Sequence, residues 1–389
     1  MVEITNDQGI KFIIEEGVLI KAVIPDGVTE LIIPEDVVGI GYRAFAGCYG
    51  LTGKLVIPDS VTKIGEDAFS GCSGLTGKLV IPDSVTEIGK YAFYGCSGYT
   101  ELVIPDSVTE IGKAAFERCS GFTELVIPNS VTGIGVRAFQ GCSGFTELVI
   151  PDGVTEIGDC AFYGCSGLTG ELVIPDSVTE IGARAFYGCS GFTKLVIPDG
   201  WTKIGDSAFS GCRGLTGELV IPDGVTEIGD CAFKYCSGLT GELVIPDSVT
   251  EIGKAVFEGC SGLTELVIPD GLTKIGDSAF EDCSGLTGKL VIPDSVTEIG
   301  KYAFYGCSGL TVQRKSRVVN FFKRIINAIV RALKSMVSSI KGIFRVKHTN
   351  KANAKDSKNL KRGDSQGIYL DNRDDNKQDY SPRDNSRRL

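Results

Sequence analysis

The chain has 389 residues, 42% of them apolar, with 51 Gly, 14 Pro, one Trp and a formal net charge of −10. That is apolar enough for a sizeable core, and no run of eighteen uncharged apolar residues offers a membrane-crossing helix. The charge is divided: residues 1–312 carry 19 Lys+Arg against 42 Asp+Glu, and residues 313–389 carry 20 against 7. Such asymmetry is that of a folded body joined to a separate interaction segment.

The first stretch, MVEITNDQGIKFIIEEGVLIK, has no basic region followed by an uninterrupted apolar one, and Glu15 and Glu16 interrupt its apolar part. It does not read as a signal peptide. The expected location is therefore cytoplasmic, or outside the cell by a route that uses no signal peptide, with any membrane contact peripheral. Residues 1–33 are expected to form a hairpin cap and a truncated unit headed by Pro25, nine residues before Pro34.

From Pro34 the chain repeats itself. Ile-Pro recurs with Pro at 34, 58, 82, 105, 128, 151, 175, 198, 222, 246, 269 and 293, twelve units spaced by 23 or 24 residues. Residues 72–98 and 283–309 are identical letter for letter. The one-residue difference in length is a Gly (Gly53, Gly77, Gly170, Gly217, Gly241 or Gly288) present in some units and absent from others, which implies a loop tolerant of length change. In the unit LVIPDSVTEIGARAFYGC, residues 172–189, Leu172 and Ile174 alternate with Val173 as in a strand. Pro175 ends that strand, and Ser177 stands three residues before Glu180, the spacing of a capping box or a similar turn. Val178 and Ile181 suggest a second short strand, Ala185-Phe186 a short helical turn, and Gly188 a left-handed stop.

A single coil cannot bury its own apolar face, so stacked neighbours must share one core. The columns LVIP, SVTEIG, AF and C resemble the BspA-like (Treponema pallidum-type) leucine-rich repeats, over about residues 31–311. The resemblance implies a leucine-rich-repeat solenoid of about twelve coils, with short parallel strands and short helical turns, over residues 34–311. It also implies a surface-exposed protein used in adhesion and protein–protein contact.

Repetition places like groups in columns, where an active site needs unlike groups converging once. Twelve of the 14 Cys fall in one column, expected to be a buried ladder of free thiols, with disulfide or metal binding as the alternative; Cys160 and Cys231 lie off it and are the expected reactive or exposed thiols. The single histidine, His348, leaves no His-dependent triad or His-metal site. The Asp column after Pro is expected to cap turns, with weak cation binding as the alternative. There is no phosphate-binding loop, dinucleotide fingerprint or nucleophile elbow, so no enzyme, cofactor, metal site, small-molecule substrate or nucleic acid is expected. What remains is a surface for a protein partner. Its candidates are Tyr91, Tyr94, Tyr163, Tyr187, Tyr302 and Tyr305, which occupy columns free to vary, and Trp201, which replaces a column Val either as a core residue or as a contact.

Residues 312–347 break from the repeat. At 100° per residue they place Phe322, Ile326, Ile329, Leu333 and Phe344 on an apolar face and Lys323, Arg324, Arg331, Lys334 and Lys341 on a basic one, with no acidic residue. This amphipathic α-helix is expected to attach to an anionic membrane surface or a partner, or to cap the last coil. Residues 348–389 are polar, charge-mixed and expected to be disordered; they include Arg362-Gly363-Asp364-Ser365, the sequence of integrin ligands. The expected function is a non-enzymatic protein-interaction scaffold, with a surface or secreted adhesin as the alternative.

Overall fold

The computed structural model describes residues 1–314 and, beyond them, Ile329 alone, which is helical and exposed. Three antiparallel strands open the chain: β1 (Val2–Thr5), β2 (Lys11–Glu15) and β3 (Val18–Val23). Alternation in Phe12 and Ile14 puts both against the core, and β3 pairs in parallel with Gly39–Ile40, passing the ladder from hairpin to repeats.

Each coil then contributes to two sheets and a corner. On one side Leu and Ile of Leu-Val-Ile point inward and Val outward, as in Lys54–Val56, Tyr99–Val103 and Gly241–Val244. On the other, two-residue strands such as Lys63–Ile64 and Glu87–Ile88 stack in register, so that β1, β2, β3 and seven of these pairs make one ten-stranded sheet. The last strand, Gly309–Arg314, pairs with Thr287–Ile292 and makes about thirteen turns in all. It runs three residues past the expected repeat end at 311, because ladder bonding to the preceding coil needs only an extended backbone.

The optional glycine is not in a loop. Where a 24-residue unit pairs with a 23-residue unit, the register shifts at Gly170/Glu171 and at Gly241/Glu242. The residue left unpaired at each shift belongs to the shorter unit, Thr193 and Thr264, while the extra glycine is itself paired, and φ values of 79° and 80° at Gly170 and Gly241 explain why it is Gly.

The corner expected as a short helical turn is a series of i→i+3 turns, seen in Ala44 N–H to Gly41 O, Ala46 to Arg43 and Cys48 to Phe45. Alternate residues donate onward to the next coil instead: Arg43 N–H to Glu66 O, Phe45 to Ala68 and Gly47 to Ser70. Every amide from Arg43 to Cys48 therefore has a partner without a helix, as a buried backbone requires. The second residue after Ile-Gly is left-handed in all twelve units, from Arg43 (φ 55°) to Tyr302 (φ 60°), and is never Gly.

The core is a set of columns. Twelve phenylalanines from Phe45 to Phe304 stack with centroids 4.9–5.7 Å apart and planes within 13°. A second stack, Tyr99-Phe122-Phe145, meets the first edge-on. All 14 Cys are free. From Cys72 to Cys307, eleven thiols each donate to the carbonyl of the Phe one coil back at 3.0–3.2 Å. That carbonyl also accepts the amide of its own coil's Cys, so both lone pairs are used. Serine behaves similarly: Ser177 donates across to Val154 O at 2.6 Å, so it holds neighbouring coils together rather than closing a capping box within its own.

Candidate functional site

Two exposed surfaces stand out. The first is the outward column of the Leu-Val-Ile sheet: Ile32, Val56, Val80, Val103, Val126, Val149, Val173, Val220, Val244, Val267 and Val291 are all exposed, and Val196 is half-buried. At about 4.8 Å between paired strands, these side chains form one apolar ribbon. It opens widest where the ladder lapses. No strand forms at 147–149 or 218–220, and Val149 and Val220 are each 73% exposed, with Val126 at 69%. Between coils there, a crevice of about 420 Å³ is lined by Val126, Val149 and Pro151. Two residues before each Val lies a charged column, mostly Glu, including Glu101, Glu124, Glu147 and Glu171; Lys78 pairs with Glu101 and Lys194 with Glu171.

The second surface is the corner. The structure groups the sequence-selected tyrosines into three pairs: Tyr91 with Tyr94 edge-on at 6.1 Å, Tyr163 stacked on Tyr187 at 4.8 Å, and Tyr302 edge-on to Tyr305 at 5.9 Å. Only the last pair is fully exposed; the other four rings are half-buried. Trp201 leaves the candidate surface altogether. It is 1% exposed, and its indole N–H donates to Val178 O at 2.8 Å. In this unit Gly200 stands where most units have Ser, so the indole supplies the cross-coil bond that the Ser hydroxyl makes elsewhere.

An open groove of about 760 Å³ crosses the first four coils of the corner. Gly47, Gly71, Gly95, Tyr49 and Tyr94 line it, and the Tyr49 ring lies against Gly71. Arg43 and Arg118 also line it, and no carboxylate does. Arg118 lies over the Tyr94 ring at 5.7 Å; Arg43 lies over Tyr42 at 5.5 Å and pairs with Asp67 at 3.6 Å. Arg118, Tyr42 and Tyr49 are not among the residues the sequence singles out. The signal for Arg118 is its column, which reads Gly in nine units and is left-handed in all twelve: Arg118 (φ 63°), Tyr235 (φ 61°) and Asp282 (φ 57°) hold that conformation without being Gly. Such strain costs about 1–2 kcal/mol per residue. Tyr235 is already engaged, donating to Glu258 Oε1 at 3.0 Å and lying under Lys234 at 4.8 Å.

Burial pushes the half-buried Cys160 and Cys231 above the ordinary thiol range, whereas the neighbouring Cys72 thiol lowers half-buried Cys48, the ladder's first member, which joins them as a candidate reactive thiol. Among the described residues no group of three or more His, Cys, Asp or Glu could hold a metal ion. The basic-segment candidates Phe322, Lys323, Arg324, Ile326, Arg331, Leu333, Lys334, Lys341 and Phe344, with His348 and the polar tail, lie outside the described residues.

The family model for the BspA type leucine-rich repeat region matches residues 26–145, 109–240 and 239–323, with six copies. A leucine-rich repeat protein from Bacteroides ovatus is 28% identical, with a TM-score of 0.60 over 81% of this chain and 99% of its own. A leucine-rich cell surface protein from Faecalibacterium prausnitzii is 30% identical, with a TM-score of 0.56 over 82% of this chain and 96% of its own. The pneumococcal vaccine antigen PcpA shares the fold at 20% identity, with a TM-score of 0.52 and 82% of each chain covered. No curated protein matches the chain.

Proposed function

The chain belongs to the BspA-type leucine-rich-repeat family, and from that membership we propose that it is a non-enzymatic scaffold that binds another protein through the Leu-Val-Ile sheet face. Solenoids of this kind generally serve as scaffolds. The observation that carries the reading is the exposed Val ribbon. A sheet that merely faced water would carry polar side chains outward, whereas this one repeats a β-branched apolar residue in every coil. An uninterrupted apolar stripe rimmed by charge is the makeup of a contact surface with a dry centre and a polar edge. The corner tyrosines form a further contact surface in this reading.

The basic segment attaches the scaffold to an anionic surface, membrane lipid being the case its Phe, Ile and Leu face fits best. Display at a cell surface is a second reading, favoured by the likeness to the Faecalibacterium cell surface protein.

The sheet-face reading is tested with the immobilised full chain and two triple variants. Val126→Lys/Val149→Lys/Val220→Lys charges the ribbon, and Thr109→Lys/Thr132→Lys/Thr155→Lys charges the opposite sheet. Partners retained by wild type should be lost from the first variant and kept by the second; equal retention by both variants refutes the proposal. For the segment, Lys323→Glu/Arg324→Glu/Arg331→Glu/Lys334→Glu should abolish sedimentation with phosphatidylserine vesicles.

A further inference from the structure

We propose that the corner groove around Arg118 and Tyr94 recognises carboxylates, and that its occupant is an extended acidic segment of a partner protein carrying an aromatic or aliphatic residue between its acids. This goes beyond the sheet-face reading and uses a different face, so each stands or falls on its own test.

Three observations converge. The first is strain: nine units put Gly at the Arg118 position, and this unit holds an arginine there at φ 63°, a conformation L side chains resist. Among the three non-Gly residues in that column, Arg118 is the one whose head group lines this groove.

The second is charge. Residues 1–312 carry more than twice as many acidic as basic residues, yet two arginines line the groove, of which Arg43 pairs with Asp67 at 3.6 Å. Arg118 makes no ion pair among the described residues. Glu117, behind it, is buried; desolvation raises its pKa against the pull of Arg137, Arg118 and Lys113, three cations around a single carboxyl. The local excess is positive, and a guanidinium over a ring still offers N–H groups to a carboxylate.

The third is shape. The Tyr49 ring lies against Gly71 and Gly47, where a side chain would displace it, and Tyr49 and Tyr94 line the groove as apolar surface for the side chain between. Arg43 and Arg118 stand three coils apart in neighbouring columns, about 15 Å at the spacing of the corner's Phe rings, which an extended peptide spans in about four to five residues. Asp and Glu four positions apart, with an apolar residue midway, match both arginines and the rings.

The test is fluorescence polarisation of the full chain with a fluorescein-labelled seven-residue peptide carrying Asp and Glu four positions apart and Phe between them, against its Asn/Gln counterpart. Wild type should bind the acidic peptide about tenfold tighter than Arg118→Gly does. The basic tail contributes equally to both proteins and cancels in that ratio. Arg118→Gly restores the column's usual residue, so its midpoint of thermal unfolding should rise while binding falls. Arg213→Ser, which removes a corner arginine outside the groove, should bind like wild type. Equal affinity for the acidic peptide in wild type and Arg118→Gly, or the same loss in Arg213→Ser, overturns the proposal.

Discussion

Tyr99→Phe should make the protein more stable. Tyr99 is completely buried in the second aromatic stack, 6.1 Å from Phe122 with planes 9° apart, and its hydroxyl has no hydrogen-bond partner. Burial also holds the phenol un-ionised far above its usual range, with Cys96, Cys72 and Cys119 adding to the effect. An unsatisfied buried hydroxyl costs about 1–3 kcal/mol, and Phe122 and Phe145 show that the column accepts Phe without repacking. Removing the hydroxyl while keeping the ring should therefore gain about 1–2 kcal/mol. Urea unfolding with the midpoint and slope fitted separately measures the gain, and amide exchange over residues 77–126 shows whether it is local. Tyr99→Ala is the counterpart: it keeps no ring and should cost about 3–5 kcal/mol. A Tyr99→Phe protein less stable than wild type would refute the reasoning, since the hydroxyl would then be contributing a bond.

Trp201→Val restores the usual column residue but forfeits the bond to Val178 O. It should destabilise by about 3 kcal/mol, and adding Gly200→Ser should recover about 1 kcal/mol of that, measured by a double-mutant cycle; strict additivity would contradict the compensation. Iodoacetamide at pH 8 should alkylate Cys48 first by mass spectrometry, and earlier labelling of Cys160 or Cys231 would count against its lowered pKa. Burial pushes Cys96, Cys165, Cys212 and Cys260 up to about 12, above an unfolded thiol. Their contribution is therefore complete below about pH 8.5 and lost as pH rises toward 12, at about 1.4 kcal/mol per pH unit for each thiol. Urea midpoints measured under reductant should fall steeply between pH 9 and 11, less so in Cys165→Ala; a flat profile would speak against a ladder of neutral thiols.

Much of this fold was legible because twelve units align against one another within a single chain. Fixed columns such as Leu, Ile, Ala, Phe and Cys point inward, and the structure buries them. The limits were set by contacts between coils. Ser177 reads locally as a cap, and only the stacked neighbour shows its bond going to Val154. Trp201 reads as a substitution of Val, and its role emerges only with Gly200 and the carbonyl of Val178 one coil away. The optional Gly reads as loop tolerance, but it is a paired strand residue, and pairing between units of unequal length leaves Thr193 of the shorter unit unpaired. Left-handed residues were half visible: the column of Gly47 and Gly71 announces itself, whereas the column of Arg43 and Asp67 never uses Gly and takes its conformation from cross-coil bonding. Arg118 was visible as an Arg among glycines, and the fixed repeat around it is what gives that departure meaning.

Docking of partners on the Val ribbon is read out by site-specific photocrosslinking. A benzophenone amino acid placed at Val149 or Val220 should capture one and the same protein from native extract, and placed at Thr109 or Thr155 on the opposite sheet it should capture none. Adducts formed only from the threonine positions, or equally from both faces, would contradict it.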